Sequence, residues 1–224
     1  MYQIIADEVD FLVIDKSPKV HFHSQDGSAG VMAQIELDLA IKLYSVHRLD
    51  TMTSGLLLFA KSSQAAARFT AMFTAHQIQK YYLALAKGKP KKKQGSIVGD
   101  MAKSRRSMYK LLRSIENPAV TQFFSQSVDE GLRLYLLKPL SGKTHQLRVA
   151  LASIGVPILG DELYGGATAD RGYLHAYGLH FEWSGNMYSY LVAPTSGEWF
   201  GHEAIKRQLH TWAEPELLAW PKQK

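Results

Sequence analysis

Apolar residues in this chain come in short runs, each bounded by a turn or by a helical stretch, and that pattern limits the fold most. "YQIIADEVDFLVIDK" at 2–16 sets two β-like runs around an acidic turn at Asp7–Asp10. "VTQFFSQSVDEGLRLYLLKP" at 120–139 repeats the pattern, with Asp129, Glu130 and Gly131 at the turn. "GLLLFAK" at 55–61 and "KYYLALAKG" at 80–88 read as strands, and 174–183 and 187–194 as further β-like segments. Helical signals lie between them. Residues 31–44 place Val31, Ile35, Leu39 and Leu43 at helical spacing. Residues 62–77 open on Ser62 and Ser63 as cap candidates and repeat Ala66, Phe69 and Phe73 on one face. Residues 143–155 predict a helix ending at Gly155, with Pro157 beyond, and 201–213 predict another. Strands that come both in hairpins and beside helices define a mixed, mainly antiparallel α+β chain.

Composition removes several classes of chemistry. The 224 residues contain no cysteine, which excludes disulfides, thiolate metal sites and a Cys nucleophile. No run reaches the roughly 18 apolar residues of a membrane span. The first ten residues lack a basic region and a long apolar stretch, so they do not read as a signal peptide. A cytoplasmic protein is expected. Net charge is +6, but 87–113 holds ten Lys or Arg against one acid, Asp100. The rest of the chain is therefore slightly acidic, and the basic segment suits a phosphate backbone. The other reading is a solvated lysine loop.

Four clusters could carry chemistry. In "HRLDTMTSG" at 47–55, Asp50 follows Arg48 and precedes Thr53, Ser54 and Gly55, just before the apolar "LLLFAK". From the segment alone, Asp50 is either a turn residue with Arg48 as a surface partner, or a carboxylate at a core edge that a cation keeps ionised. In "PLSGKTHQLR" at 139–148, a Pro and Gly turn opens a predicted helix bearing Thr144, His145, Gln146 and Arg148. Arg148 has the fork that matches a buried carboxylate. In "KYYLALAKG", Lys80 precedes Tyr81 and Tyr82, whose rings fall on opposite strand faces, so that one can stack on a base. "GVPILGDELYG" at 155–165 describes a constrained turn in which Asp161 reads as structural. His21 and His23 share a face if 21–23 is a strand, yet no metal-binding motif accompanies them, and no P-loop or dinucleotide fingerprint is present.

Together these blocks resemble the RluA family of RNA pseudouridine synthases over about residues 3–195, leaving 196–224 as a tail. "HRLDTMTSGLLLFAK" resembles the family's HRLD-x-x-T-S-G motif, and "KYYLALAKG" its K-x-Y motif. "PLSGKTHQLRVALASIGVPILGDELYG" is similar to its G-R-T-H-Q-I-R and G-x-P-I-x-G-D-x-x-Y-G block. "AVTQF" at 119–123 and "LHAYGLHF" at 174–181 match weaker positions in the same order. The resemblance implies one catalytic domain over 1–224, with two subdomains around a central cleft, that isomerises uridine in RNA to pseudouridine. It implies no metal and no cofactor.

Asp50 is implied as the catalytic carboxylate, acting on ribose, on base, or as a base. Tyr82 is implied as catalytic, stacking on the uracil and serving as a general base at C2′, and Arg148 is implied to hold Asp50 ionised. Arg48 is implied to fill the space of a flipped nucleotide. His47, Thr53, Lys80, Thr144, His145 and Gln146 are the further candidates for substrate binding. Lys91, Lys92, Lys93, Arg105 and Arg106 are candidates for the RNA backbone. The expected partner is ribosomal or transfer RNA, bound by a monomer. Departures fall on "KSP" at 16–18 for K-P-x-G, on Lys143 for Arg and on Ala150 for His, and bear on substrate. The chain leaves no room at its front for a separate S4 domain. The rival readings are an idle RNA-binding or RNA-chaperone protein of this fold, and a metal hydrolase using His21, His23 and His47.

Overall fold

The computed structural model describes residues 1–24 and 29–221. Among these residues, twelve strands and four helices follow in order. They are β1 (Tyr2–Asp7), β2 (Phe11–Lys16), α1 (Val31–Leu39), β3 (Tyr44–Ser45), β4 (Ser54–Ala60) and α2 (Ser63–Thr74). Next come β5 (Gln79–Lys87), β6 (Gln94–Gly99), β7 (Met101–Lys103), β8 (Tyr109–Leu111), β9 (Ala119–Asp129) and β10 (Leu132–Pro139). The last are α3 (Gln146–Ser153), β11 (Leu174–Trp183), β12 (Asn186–Leu191) and α4 (Glu203–Thr211). Two compact units form, Met1–Ile78 with His175–Ala193, and Gln79–Leu174 with Pro194–Lys224. No described helix is long and apolar enough to cross a membrane.

The first unit is built on β4, whose seven residues are all buried. β2 pairs with it antiparallel from Phe11↔Ala60 to Lys16↔Gly55, and β1 closes a hairpin on β2. On the other edge β11 runs parallel at Ser54 and Gly55, and β3 pairs antiparallel at Phe59 and Ala60. β12 returns antiparallel on β11. Helix α2 covers this sheet. Its cap is Ser62, whose hydroxyl accepts the Ala65 N–H at 3.1 Å. It buries Ala65, Phe69 and Met72, a stripe rotated slightly from the expected Ala66, Phe69 and Phe73. Phe69 stacks on Trp183 at 4.0 Å and meets Phe11 edge-on, so the rings of α2, β2 and β11 lock one core.

The second unit holds an antiparallel sheet ordered β5, β10, β9, β6. The β9–β10 turn falls where the sequence places it, with Gly131 at φ 67°. β7 and β8 form a separate two-stranded ribbon. Behind β5, Tyr81 stacks on Trp220 of the tail, and the Pro221 carbonyl accepts the Gln122 amide.

Two helices are shorter than their periodicity predicts. α1 stops at Leu39 because Ala40 turns left-handed at φ 52°. Leu43 is still buried, but outside the helix, and its N–H goes to Glu36 Oε1 at 2.8 Å. α3 begins at Gln146, because His145 is left-handed at φ 57°. Thr144 and His145 therefore belong to the preceding turn and not to a helical face.

Candidate active site

Asp50 lies half-buried on the loop that leads into β4. Several independent contacts fix that loop. The Thr53 N–H returns to the Asp50 carbonyl at 3.0 Å, closing a turn. Lys16, at the end of β2, is fully buried, and its ammonium donates to the carbonyls of Val20 (2.9 Å), Ser17 (3.0 Å) and Thr51 (3.4 Å). A buried cation needs such acceptors, and here one of them is the residue next to Asp50. The Ser54 hydroxyl meets His175 Nδ1 at 2.8 Å, both buried, while His175 Nε2 faces the Val192 carbonyl at 2.7 Å. A carbonyl can only accept, so the ring proton sits on Nε2 and Ser54 donates to Nδ1.

Gly55 has φ 106°, and a Cβ there would lie 2.3 Å from the Ala176 carbonyl oxygen. The parallel approach of β11 to β4 therefore requires glycine. His47 accepts the Leu58 N–H through Nε2 at 2.9 Å. That N–H lies on β4 between the stretches paired by β11 and by β3, so the imidazole fills a gap in the ladder. Thr53 is buried, while Arg48 is exposed. Thus His47 and Thr53, expected to bind substrate, build the loop that carries Asp50.

The described residues do not gather the three histidines of the metal reading. Residues 21–23 are not a strand, so His21 and His23 have no shared strand face. His21 Nδ1 is engaged by Thr51 Oγ1 at 3.1 Å, and His47 by Leu58. Among the described residues no group of three His, Asp or Glu is placed to hold a metal ion.

In the second unit, Lys80 and Tyr82 share one face of β5, and Tyr81 points to the other, where it is 1% exposed. Burial lowers the Lys80 ammonium to about 8, and Nζ reaches the Ser141 carbonyl at 3.4 Å. Residues 141–145 are shaped by Gln146. Its Oε1 accepts from Ser141 Oγ (2.8 Å) and the Lys143 N–H (3.0 Å). Its Nε2 donates to the Val120 carbonyl (3.0 Å) and Thr121 Oγ1 (3.1 Å). The amide's donors and acceptors are all used inside the protein. Gln146, expected at the substrate, is instead the knot of the turn, and Thr144 is exposed on it.

Arg148, on α3, is gripped by Asp161 in a buried fork, Nε to Oδ2 at 2.7 Å and Nη2 to Oδ1 at 2.8 Å. Its guanidinium lies 4.9 Å from the centroid of the Tyr164 ring. Asp161 and Tyr164 sit on one tight loop. A Cβ on Gly160 would meet the Arg171 carbonyl at 1.9 Å, and one on Gly166 the Ile158 carbonyl at 1.9 Å. The Tyr164 hydroxyl takes the Tyr109 N–H at 2.9 Å and contacts His145 Nδ1 at 2.9 Å.

In the sequence Asp161 reads as structural, and Tyr164 carries no role of its own. The usable signal was the pair of glycines flanking a buried-type acid and an aromatic. Lys16 carries a signal as well, as a lysine closing a strand that opens with four apolar residues.

The basic segment divides between two places. Lys91, Lys92 and Lys93 are exposed on the loop before β6. Arg105 and Arg106 are exposed at the tip of the β7–β8 hairpin. At that tip Arg106 (φ 52°) and Ser107 (φ 60°) are both left-handed, closed by Met108 N–H to the Arg105 carbonyl at 3.0 Å. Such a turn ordinarily takes Asn-Gly, and two non-glycine residues there cost of order 1–3 kcal/mol each. Asp100, the only acid of the segment, is occupied at the hairpin base. Hydrogen bonds from Ser114 and from the Asn117 and Glu116 N–H groups hold its carboxyl below the usual range.

The architecture matches a known class. It superposes on Human RNA Pseudouridylate Synthase Domain Containing 1 with a TM-score of 0.77, covering 100% of this chain and 97% of that one, at 22% identity. That likeness concerns the fold alone. The model of the RNA pseudouridylate synthase family matches residues 10–153. A Haemophilus influenzae protein described as an uncharacterized RNA pseudouridine synthase is 42% identical over 220 residues, 97% of this chain and 98% of that protein. A tRNA pseudouridine synthase C from Yersinia pestis is 29% identical, covering 88% and 84% of the two chains. The chain belongs to the RNA pseudouridylate synthase family, in its RluA group. It is an RNA pseudouridine synthase, an isomerase.

Proposed function

We propose that this enzyme acts on uridine in a structured stem-loop of ribosomal or transfer RNA, with Asp50 as the catalytic carboxylate. The observation that carries the reading is the Asp50 loop. Buried Lys16, the Ser54–His175 pair and Gly55 all hold this half-buried acid in one geometry, as a reacting carboxylate requires. The uridine flips out of its stack, because the glycosidic bond is not reachable within it. The N–C bond breaks, the uracil turns, and a C5–C1′ bond forms with loss of the C5 hydrogen. Tyr82 stacks on the uracil from the β5 face it shares with Lys80. Arg148, oriented by Asp161, keeps the Asp50 carboxylate ionised. Exposed Arg48 occupies the place of the flipped nucleotide. Relatives named for the large ribosomal subunit and for transfer RNA make both the first substrates to try.

Mapping pseudouridines in total RNA, with and without the gene, tests the substrate. Loss of one or a few sites in ribosomal or transfer RNA is expected, and an unchanged map of both would overturn the assignment. The basic loop is tested separately. Neutralising Lys91, Lys92 and Lys93 to Gln weakens RNA binding. It also lowers the slope of log K against log salt by roughly 0.7–0.9 for each phosphate that is no longer neutralised. An unchanged slope would place this loop away from the RNA.

A further inference from the structure

We infer that Tyr164 is a positioning residue that ties the basic β7–β8 hairpin to the Arg148 centre, so that RNA gripped by the hairpin sets the geometry in which Arg148 works; this rests on the function proposed above. The connection is one hydroxyl with two bonds. Among the described residues β8 has only β7 as a strand partner, so its outer edge carries backbone groups that need acceptors. The Tyr109 N–H on that edge goes to Tyr164 Oη at 2.9 Å. With its oxygen accepting there, the hydroxyl keeps its own proton and is placed to donate it to His145 Nδ1, 2.9 Å away.

His145 is the left-handed residue from which α3 starts, three positions before Arg148. The rings of Tyr109 and Tyr164 both stand edge-on to it, at 5.7 Å each. The face of the Tyr164 ring underlies the Arg148 guanidinium at 4.9 Å. A displacement of β8 therefore bears on Tyr164 through the hydrogen bond and on His145 through the Tyr109 ring, and through both on the start of α3 and the arginine. The hairpin tip supplies a second, independent reason to assign it a task. It accepts left-handed strain at Arg106 and Ser107 where glycine would relieve it, and so keeps a charge at the apex.

The test is a double-mutant cycle between Tyr164→Phe, which keeps the ring and deletes both bonds, and the pair Arg105→Ala, Arg106→Ala. Enzyme in excess converts total RNA from cells lacking the gene. The first-order rate of pseudouridine appearance, followed against enzyme concentration, gives a maximal rate and a half-saturating concentration. Tyr164→Phe is expected to lower the maximal rate about tenfold while leaving half-saturation within about threefold. The arginine pair lowers the maximal rate and raises half-saturation.

In the combined variant the maximal rate is that of Tyr164→Phe alone, and only half-saturation worsens further. Maximal-rate losses that multiply, or a Tyr164→Phe rate equal to wild type, would overturn the inference. Amide hydrogen exchange at Tyr109 reads the bond without activity: protection in wild type that disappears in Tyr164→Phe supports it, and retained protection refutes it. Failure of the functional reading looks different, since wild-type enzyme would then place no pseudouridine in ribosomal or transfer RNA, or Asp50→Asn would keep the wild-type rate.

Discussion

Asp50→Asn leaves a folded protein that still binds RNA and forms pseudouridine at least about 10³-fold more slowly. The substitution keeps size and shape and exchanges one oxygen of the charged carboxylate for a neutral amide nitrogen. Contacts that shape the loop without the Asp50 side chain include those of the Thr53 N–H with the Asp50 backbone carbonyl, of Lys16 with three carbonyls, and of Ser54 with His175. All of these survive the change, so the melting temperature is expected to move by only a few degrees. Release of the uracil C5 hydrogen measures the chemistry, and filter binding of the same RNA measures affinity. A variant within tenfold of wild-type rate would remove Asp50 from its role. A variant whose RNA affinity fell in proportion to its rate would show that the carboxylate matters for binding and not for the bond changes.

What the sequence made legible follows the range of the forces involved. The β1–β2 and β9–β10 hairpins and the Ser62 cap of α2 are local, written in turn residues and in period, and they stand where the pattern puts them. The ends of α1 and α3 are local as well, but they depend on left-handed backbone at Ala40 and His145, which no apolar periodicity encodes. The site was legible only as ordered blocks resembling a family. Read alone, "HRLDTMTSG" makes Asp50 as good a turn residue as a catalyst. The groups that settle its surroundings come from far along the chain, Lys16 from β2 and His175 from β11. Gln146 and His47 add a nearer kind of contact. Both have side chains typical of substrate contacts, yet the Gln146 amide is used by Val120 and Ser141, and His47 Nε2 by Leu58. A polar residue in a motif can thus be retained for the turn it ties.

Asp161→Ala is the second change with a large expected effect, and here stability and activity separate. The carboxylate is 1% exposed and takes two N–H groups of a guanidinium that is itself 9% exposed. Removing one partner of such a pair leaves a buried cation without its fork acceptor, at a cost of about 3–5 kcal/mol. For a chain of this size each kcal/mol lowers the melting temperature by roughly 2–4 °C, so a drop of about 6–20 °C is expected in the transition that involves the second unit. Asp161→Asn, which still offers one oxygen, falls between. Replacing both partners, Arg148→Met with Asp161→Leu, exchanges the pair for apolar volume and is expected to recover most of the stability. On the role proposed for Arg148, activity is not expected to return with it, because the cation assigned to the Asp50 carboxylate is gone. Thermal melting followed by circular dichroism, beside the C5-hydrogen release rate, reads both quantities on the same samples. An Asp161→Ala protein that melts like wild type would contradict a buried fork. A double variant that regained activity along with stability would show that Arg148 serves the fold alone.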